Sequence, residues 1–154
     1  MVHVLISACL MGVSCRYDGK NTQYDGIDEL MARVHLVPVC AETLGGLPTP
    51  RIPAERVGDR VLTQDGRDVT EAYQKGAEEA LRIARRFGCA YAILKERSPS
   101  CGNGTIYDGT FTKTLVPGDG VTAALLRQNG IRVFGESQIP AFLAMLDAKE
   151  TVPV

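Results

Sequence analysis

Histidine is nearly absent from this chain of 154 residues, which holds only His3 and His35. Chemistry built on a Ser-His-Asp triad or an H-E-x-x-H zinc helix therefore lacks its parts, and neither pattern occurs. P-loop and G-x-G-x-x-G runs are missing as well, so the common phosphate-cradling loops are not available. The five cysteines, Cys9, Cys15, Cys40, Cys89 and Cys101, include no C-x-x-C pair, which removes the zinc ribbon and the thioredoxin-type motif. No apolar run approaches the roughly 20 residues that cross a bilayer. The apolar opening, residues 1–8, has no basic flank and is too short for a signal h-region, so a cytoplasmic protein is expected. A net charge of −1 and a pI of about 6.1 give no general pull toward nucleic acid or an acidic membrane. Internal repeats and low-complexity tracts are also lacking.

What remains reads as one globular domain over residues 1–154, because an apolar fraction of 45% is ordinary and the length suits a single core. The β-branched apolar run in residues 2–8 predicts a buried first strand. Ile27, Leu30, Met31 and Val34 lie at helical spacing and predict a short helix over 27–34, with a second strand at 36–39. Residues 41–56, carrying Gly45, Gly46, Pro48, Pro50 and Pro53, are expected to be irregular, and connections of that length are usually functional. The clearest helix is 69–87. Asp68 and Glu71 make a capping-box-like start. Val69, Ala72, Tyr73, Gly76, Ala80, Leu81, Ile83, Ala84 and Phe87 form its apolar stripe, and Gly88 supplies the stop.

Residues 91–94 predict a third strand and 96–109 a polar, turn-rich connection. Asp119 is expected to cap a helix over 120–128 that Gly130 ends, and residues 131–134 form a fourth strand. Ser137 opens a closing helix with Ile139, Phe142, Leu143 and Leu146 on its apolar side. Residues 60–63 and 110–115 are candidate extra strands. Short apolar strands alternating with amphipathic helices predict an α/β fold, Rossmann-like, with a mostly parallel sheet and helices on both faces. Right-handed crossovers put every strand's carboxyl end on one edge, where such sheets bind ligands.

That edge gathers the cysteines. Cys9 follows the first strand, Cys40 ends the second and Cys101 lies in the loop after the third, so three distant segments deliver thiols to one place. Cys89 precedes the third strand, at the opposite edge, and reads as a buried structural residue. Cys15 follows Cys9 closely enough to approach the same crevice. Thiolates there suit zinc, an iron–sulfur cluster or redox-active thiols, and spacing alone does not choose among them. Four thiolates would close a site, whereas three leave a coordination position open for chemistry.

Other reactive groups share these loops. Glu42 stands two residues after Cys40, and Ser98 and Ser100 flank Cys101 around the rigid Pro99. Tyr17 and Asp108 belong to the turn sequences Tyr17-Asp18-Gly19 and Tyr107-Asp108-Gly109 and are candidate pocket residues. Pro117-Gly118-Asp119-Gly120, ahead of a helix, offers backbone N–H groups to an anion.

Several blocks resemble a bacterial family formerly known only as a domain of unknown function. They are Ser7-Ala8-Cys9-Leu10-Met11-Gly12 with Cys15-Arg16-Tyr17-Asp18-Gly19, Pro38-Val39-Cys40-Ala41-Glu42, and Gly45-Gly46-Leu47-Pro48-Thr49-Pro50-Arg51. Lys95-Glu96-Arg97-Ser98-Pro99-Ser100-Cys101-Gly102 and Ile106-Tyr107-Asp108-Gly109-Thr110-Phe111 extend the resemblance to nearly the whole chain. Members of that family with known activity are thiouracil desulfidases, which hold a [4Fe–4S] cluster on three cysteines and convert thiouracil to uracil and sulfide without net redox change. The resemblance implies Cys9, Cys40 and Cys101 as cluster ligands, Glu42 and Ser98 as acid–base and substrate-positioning groups, and Ser100, Tyr17 and Asp108 near the substrate. Ala41 stands where the family's usual block has proline, which predicts a looser loop around Glu42.

The partner implied is a small-molecule thiolated base. A thiolated nucleoside or tRNA base is an alternative substrate, although the near-neutral charge argues against tRNA, whose phosphates call for a basic face. A cluster- or zinc-bearing structural or sensor protein is the alternative of another class, favoured if Cys15 closes the site as a fourth ligand.

Overall fold

A computed structural model describes residues 1–150. In chain order the strands and helices are β1 (His3–Ser7), α1 (Ile27–Arg33), β2 (His35–Val39), α2 (Ala41–Leu44), β3 (Ala54–Val57) and β4 (Arg60–Thr63). Then follow α3 (Thr70–Arg86), β5 (Tyr91–Leu94), β6 (Thr105–Tyr107), β7 (Leu115–Pro117), α4 (Val121–Gln128), β8 (Arg132–Gly135) and α5 (Ile139–Glu150). One 3₁₀ turn, Ala8–Met11, follows β1, and another, Glu136–Gln138, leads into α5.

The sheet follows from the apolar strands. Val4, Leu5 and Ile6 are wholly buried, which an isolated edge strand could not achieve, and β1 is accordingly central. It pairs in parallel with β2 on one side and β5 on the other, and β5 pairs with β8, giving the order β2-β1-β5-β8. Alternate side chains go to opposite faces. Leu5 packs among Ala80, Leu81 and Ala84 of α3 and Ala123 and Leu126 of α4. Val4 and Ile6 pack among Ile27 and Leu30 of α1 and Ile139, Phe142 and Leu146 of α5. Helices therefore cover both faces, as the sequence pattern implies. The chain steps outward from β1 to β2 and then returns to β1's other flank, so the strand order reverses between β1 and β5. Ligands of open parallel sheets bind at such a switch point.

Several local expectations are corrected. Residues 41–56 are not wholly irregular: Ala41–Leu44 forms a helical turn, and Ala54–Val57 pairs antiparallel with β4. The breakers cluster within 45–53, which leaves the flanking residues free to form regular structure. The expected strand at 110–115 survives only as β7, because Phe111 and Lys113 both have φ of +60°, which a ladder does not accept. Its partner β6 lies inside the stretch read as turns.

Neither expected acidic cap sits at the helix start. Asp68 accepts from Thr70 N at 2.9 Å, one position outside the Val69 N-cap. Asp119 accepts from Gly104 N at 2.7 Å and pairs with Arg127, while Gly120 is the N-cap of α4. Phe87, placed on the apolar stripe of α3, is 52% exposed. Among the described residues no helix is long and apolar enough to cross a membrane.

Two contacts fix the parts that carry the site. A Cβ on Gly76 of α3 would lie 1.9 Å from Ala41 O, and one on Gly45 would lie 2.0 Å from Ala72 O, so α2 rests directly on the α3 backbone. The opening N–H groups of α4 donate into the loop after β5: Gly120 N to Gly102 O (2.8 Å), Val121 N to Pro99 O (2.9 Å) and Thr122 N to Ser100 O (2.8 Å). The anion site expected at this helix start is thus filled by backbone carbonyls of the Cys101 loop.

Candidate active site

The carboxyl ends of β1, β2 and β5 open into a cavity of about 430 Å³. Cys9, Cys15, Cys40, Cys101, Glu42, Ser98 and Tyr17 all line it. Cys9 comes from the 3₁₀ turn after β1, Cys40 is the N-cap of α2, and Cys101 comes from the loop that α4 holds. Cys89 is buried in the core beyond the opposite edge of the sheet, and burial raises its thiol.

Each of the three converging thiols has a hydroxyl beside it. Thr43 Oγ1 donates to Cys40 Sγ at 3.3 Å. The Ser7 and Ser100 hydroxyls pull the Cys101 thiol down against its burial. The Thr22 hydroxyl lies against Cys9 and helps lower its thiol, yet it is buried and lacks a well-formed hydrogen bond. With the Cys15 thiol nearby, Cys40 is brought down to about 5 and Cys9 to about 7, and Cys15 itself is pushed far up. Burial pushes Cys101 up to about 12.

This donor set fits an iron–sulfur cluster. The donors are soft thiols, and hydroxyls stand ready to donate to sulfur, as the shell around a cluster does. Among the described residues no His, Cys, Asp and Glu side chains form a group of three suited to one metal ion. A cluster accepts ligands spread more widely than a single ion does.

Glu42 follows Cys40 in the first turn of α2, and its side chain is only 14% exposed. Burial pushes its carboxyl up, against the opposing pull of Arg51. Ala41 occupies the first helical position, where proline is favoured and alanine is the best helix former. The alanine keeps the helical turn that carries Glu42. Ser98 Oγ accepts from Ser100 N and Cys101 N, both at 3.1 Å, which leaves its own proton to donate toward Glu42.

Two residues expected near the substrate do not line the cavity. Ser100 is buried beneath the Cys101 loop with its Oγ against Thr122 Oγ1 at 2.8 Å, a structural position. Asp108 turns its carboxylate onto Thr110 N and Thr110 Oγ1, closing a local turn. Conversely, Arg51, Glu55, Lys95 and Phe111 line the cavity without having been singled out. Lys95 lowers Cys9 by its charge and pairs with Glu136 at 2.9 Å. Glu55 Oε1 accepts from Gly109 N (3.0 Å) and Phe111 N (3.1 Å), strapping residues 108–114 to β3. The three non-glycine residues with positive φ among those described, Arg97, Phe111 and Lys113, all lie in the cavity wall. Strained backbone of this kind gathers at functional sites. Arg51 ends a Pro-rich block, which marks it faintly; nothing in the sequence marks Glu55.

Residues 4–138 match the profile of the 2-thiouracil desulfurase family. An uncharacterised protein of Bacillus subtilis (strain 168), YbbK, is 43% identical over 146 residues, covering 88% of this chain and 97% of that protein. The solved structure of a [4Fe-4S]-dependent thiouracil desulfidase, TudS, superposes with a TM-score of 0.90 at 45% identity, covering 96% of this chain and 99% of the other.

Proposed function

This chain belongs to the 2-thiouracil desulfurase family, and from that premise we propose that it is a [4Fe-4S]-dependent desulfidase converting thiouracil to uracil and sulfide by hydrolysis. The observation that supports this reading is the meeting of Cys9, Cys40 and Cys101, from three separate segments, in one cavity with a buried carboxylate beside them. Cys9, Cys40 and Cys101 would hold the cluster. When bound, it supplies a Lewis-acidic iron suited to the soft thiocarbonyl sulfur.

The chain's own residues do the rest. Glu42 takes a proton from water as its oxygen attacks the carbon of the C=S group. Burial raises the carboxyl toward working pH, which makes it the better base. On substrate binding Ser98 turns its hydroxyl proton from Glu42 to the ring or to the developing charge, and Tyr17 lines the cavity. The water oxygen becomes the carbonyl oxygen of uracil, Glu42 passes the proton it took to the departing sulfur, which leaves as hydrosulfide, and the second water proton is released. No electron is gained or lost. The substrate is a small thiolated base, and a net charge of −1 does not favour a nucleic-acid partner.

Cys15 carries a second reading, because it lines the same cavity as Cys9 and Cys40 and its backbone O lies 3.8 Å from Cys40 Sγ. As a fourth ligand it would close the site and make it structural or sensory. Anaerobic purification, iron and sulfide analysis with an absorption spectrum, and turnover of thiouracil test the first reading. Zinc in place of iron, or a full cluster with no release of sulfide, would sink it.

A further inference from the structure

We infer that Arg51 is the positioning residue of this site, holding Glu42 by one oxygen so that the other faces the substrate. The inference rests on the desulfidase reading above. A guanidinium has five N–H donors in a fixed plane, and every nitrogen of Arg51 is engaged. Nε donates to Glu42 Oε2 at 2.8 Å. Nη1 donates to Pro48 O at 3.2 Å and Thr49 Oγ1 at 3.1 Å. Nη2 donates to Cys15 O at 3.0 Å and to Glu42 Oε2. The Arg51 side chain is 8% exposed, and its backbone N donates to Tyr17 O at 2.8 Å.

Two consequences follow. First, Nε and Nη2 converge on one oxygen, Oε2, rather than gripping the carboxylate through both. Oε1 is left without an Arg51 contact and is the oxygen that receives the proton of water. Second, the same guanidinium also bonds the Cys15 loop and the 48–49 turn, so the carboxylate cannot swing without breaking its bonds to Arg51 or pulling Arg51 off both. Lysine is a point charge with rotatable donors and cannot span these acceptors.

The test uses the anaerobic, cluster-loaded enzyme with thiouracil. Arg51→Gln, Arg51→Lys, Glu42→Gln and the double Arg51→Gln/Glu42→Gln variant are compared by cluster absorbance, kcat and KM. Arg51→Gln is expected to keep the cluster and lose kcat by about 10²-fold, the usual worth of a positioned base, with KM changed by less than about threefold. Arg51→Lys is expected to recover less than about a tenth of the wild-type kcat. The double variant should be no slower than Glu42→Gln alone, because residues acting as a unit are not additive. Additive losses, an unchanged kcat, or loss of the cluster in Arg51→Gln would overturn the inference and leave Arg51 a structural clamp. If Arg51→Gln does not fold, Arg51→Lys carries the same measurements. A loaded wild type that leaves thiouracil intact would sink the desulfidase reading instead. Arg51 is then judged by a crystal structure of the folded variant, where a displaced Glu42 carboxylate supports positioning and an unmoved one refutes it.

Discussion

Gly76 lies so close to Ala41 that a Cβ on it would come within 1.9 Å of the Ala41 carbonyl oxygen. The missing side chain lets α2 sit on α3, and α2 is what places Cys40 and Glu42 at the cavity. Gly76→Ala is therefore expected to destabilise the protein by about 1–3 kcal/mol, the ordinary cost of overpacking. It should also reduce the iron retained after anaerobic purification. Denaturant midpoints and iron analysis on the same sample check both, and wild-type values for the two would refute the packing argument.

The cysteines should separate cleanly. Cys9→Ala, Cys40→Ala and Cys101→Ala are each expected to abolish cluster binding. Cys89→Ala should keep the cluster and lose only about 1 kcal/mol, as for a small buried group. Cys15→Ala should retain the absorption spectrum. If Cys15→Ala loses it while Cys101→Ala keeps it, the ligand assignment is wrong.

Glu42→Gln keeps the size of the side chain and all the thiols but removes the base. Turnover of thiouracil should fall by about 10²-fold or more at full cluster occupancy, with a smaller loss for Ser98→Ala. The ionised form is the active one, so the wild-type rate should fall as pH drops through the Glu42 pKa. Burial places that limb above the ordinary carboxylate range. A Glu42→Gln enzyme at the wild-type rate would move the base to another residue.

Glu55 holds the cavity wall from behind. Glu55→Ala leaves the Gly109 and Phe111 N–H groups without their acceptor, and a loss of about 1–3 kcal/mol is expected. Glu55→Gln keeps a carbonyl oxygen and should lose less. Hydrogen exchange at Phe111 N–H should accelerate in the alanine variant, and unchanged exchange would show that the strap is not needed.

The sheet and the cysteine edge were legible because they depend on few rules. An apolar run such as Val4–Leu5–Ile6 must be covered on both sides, and parallel strands put their ends together. Cys9, Cys40 and Cys101 could thus be brought to one edge by counting strands. Arg51 and Glu55 could not, because their importance lies in acceptors and donors far away in sequence: Cys15 O for one, Phe111 N for the other. Ser100 misled for the opposite reason. Its nearness to Cys101 in sequence suggested the substrate, but α4 packs over the loop and turns its hydroxyl onto Thr122. The turn of α2 was hidden by the breakers that follow it, since helix boundaries beside Gly and Pro are set by packing on α3 rather than by local preference.

The carbonyls of Pro99, Ser100 and Gly102 are bonded to the first N–H groups of α4. A zinc finger collapses without its ion because the ion is its core. Here the receiving loop is built by the backbone of the fold. The place of Cys101 is thus dictated by how α4 packs on its loop, and the Cys101→Ala variant is expected to keep the circular dichroism spectrum of the wild type while losing the brown colour.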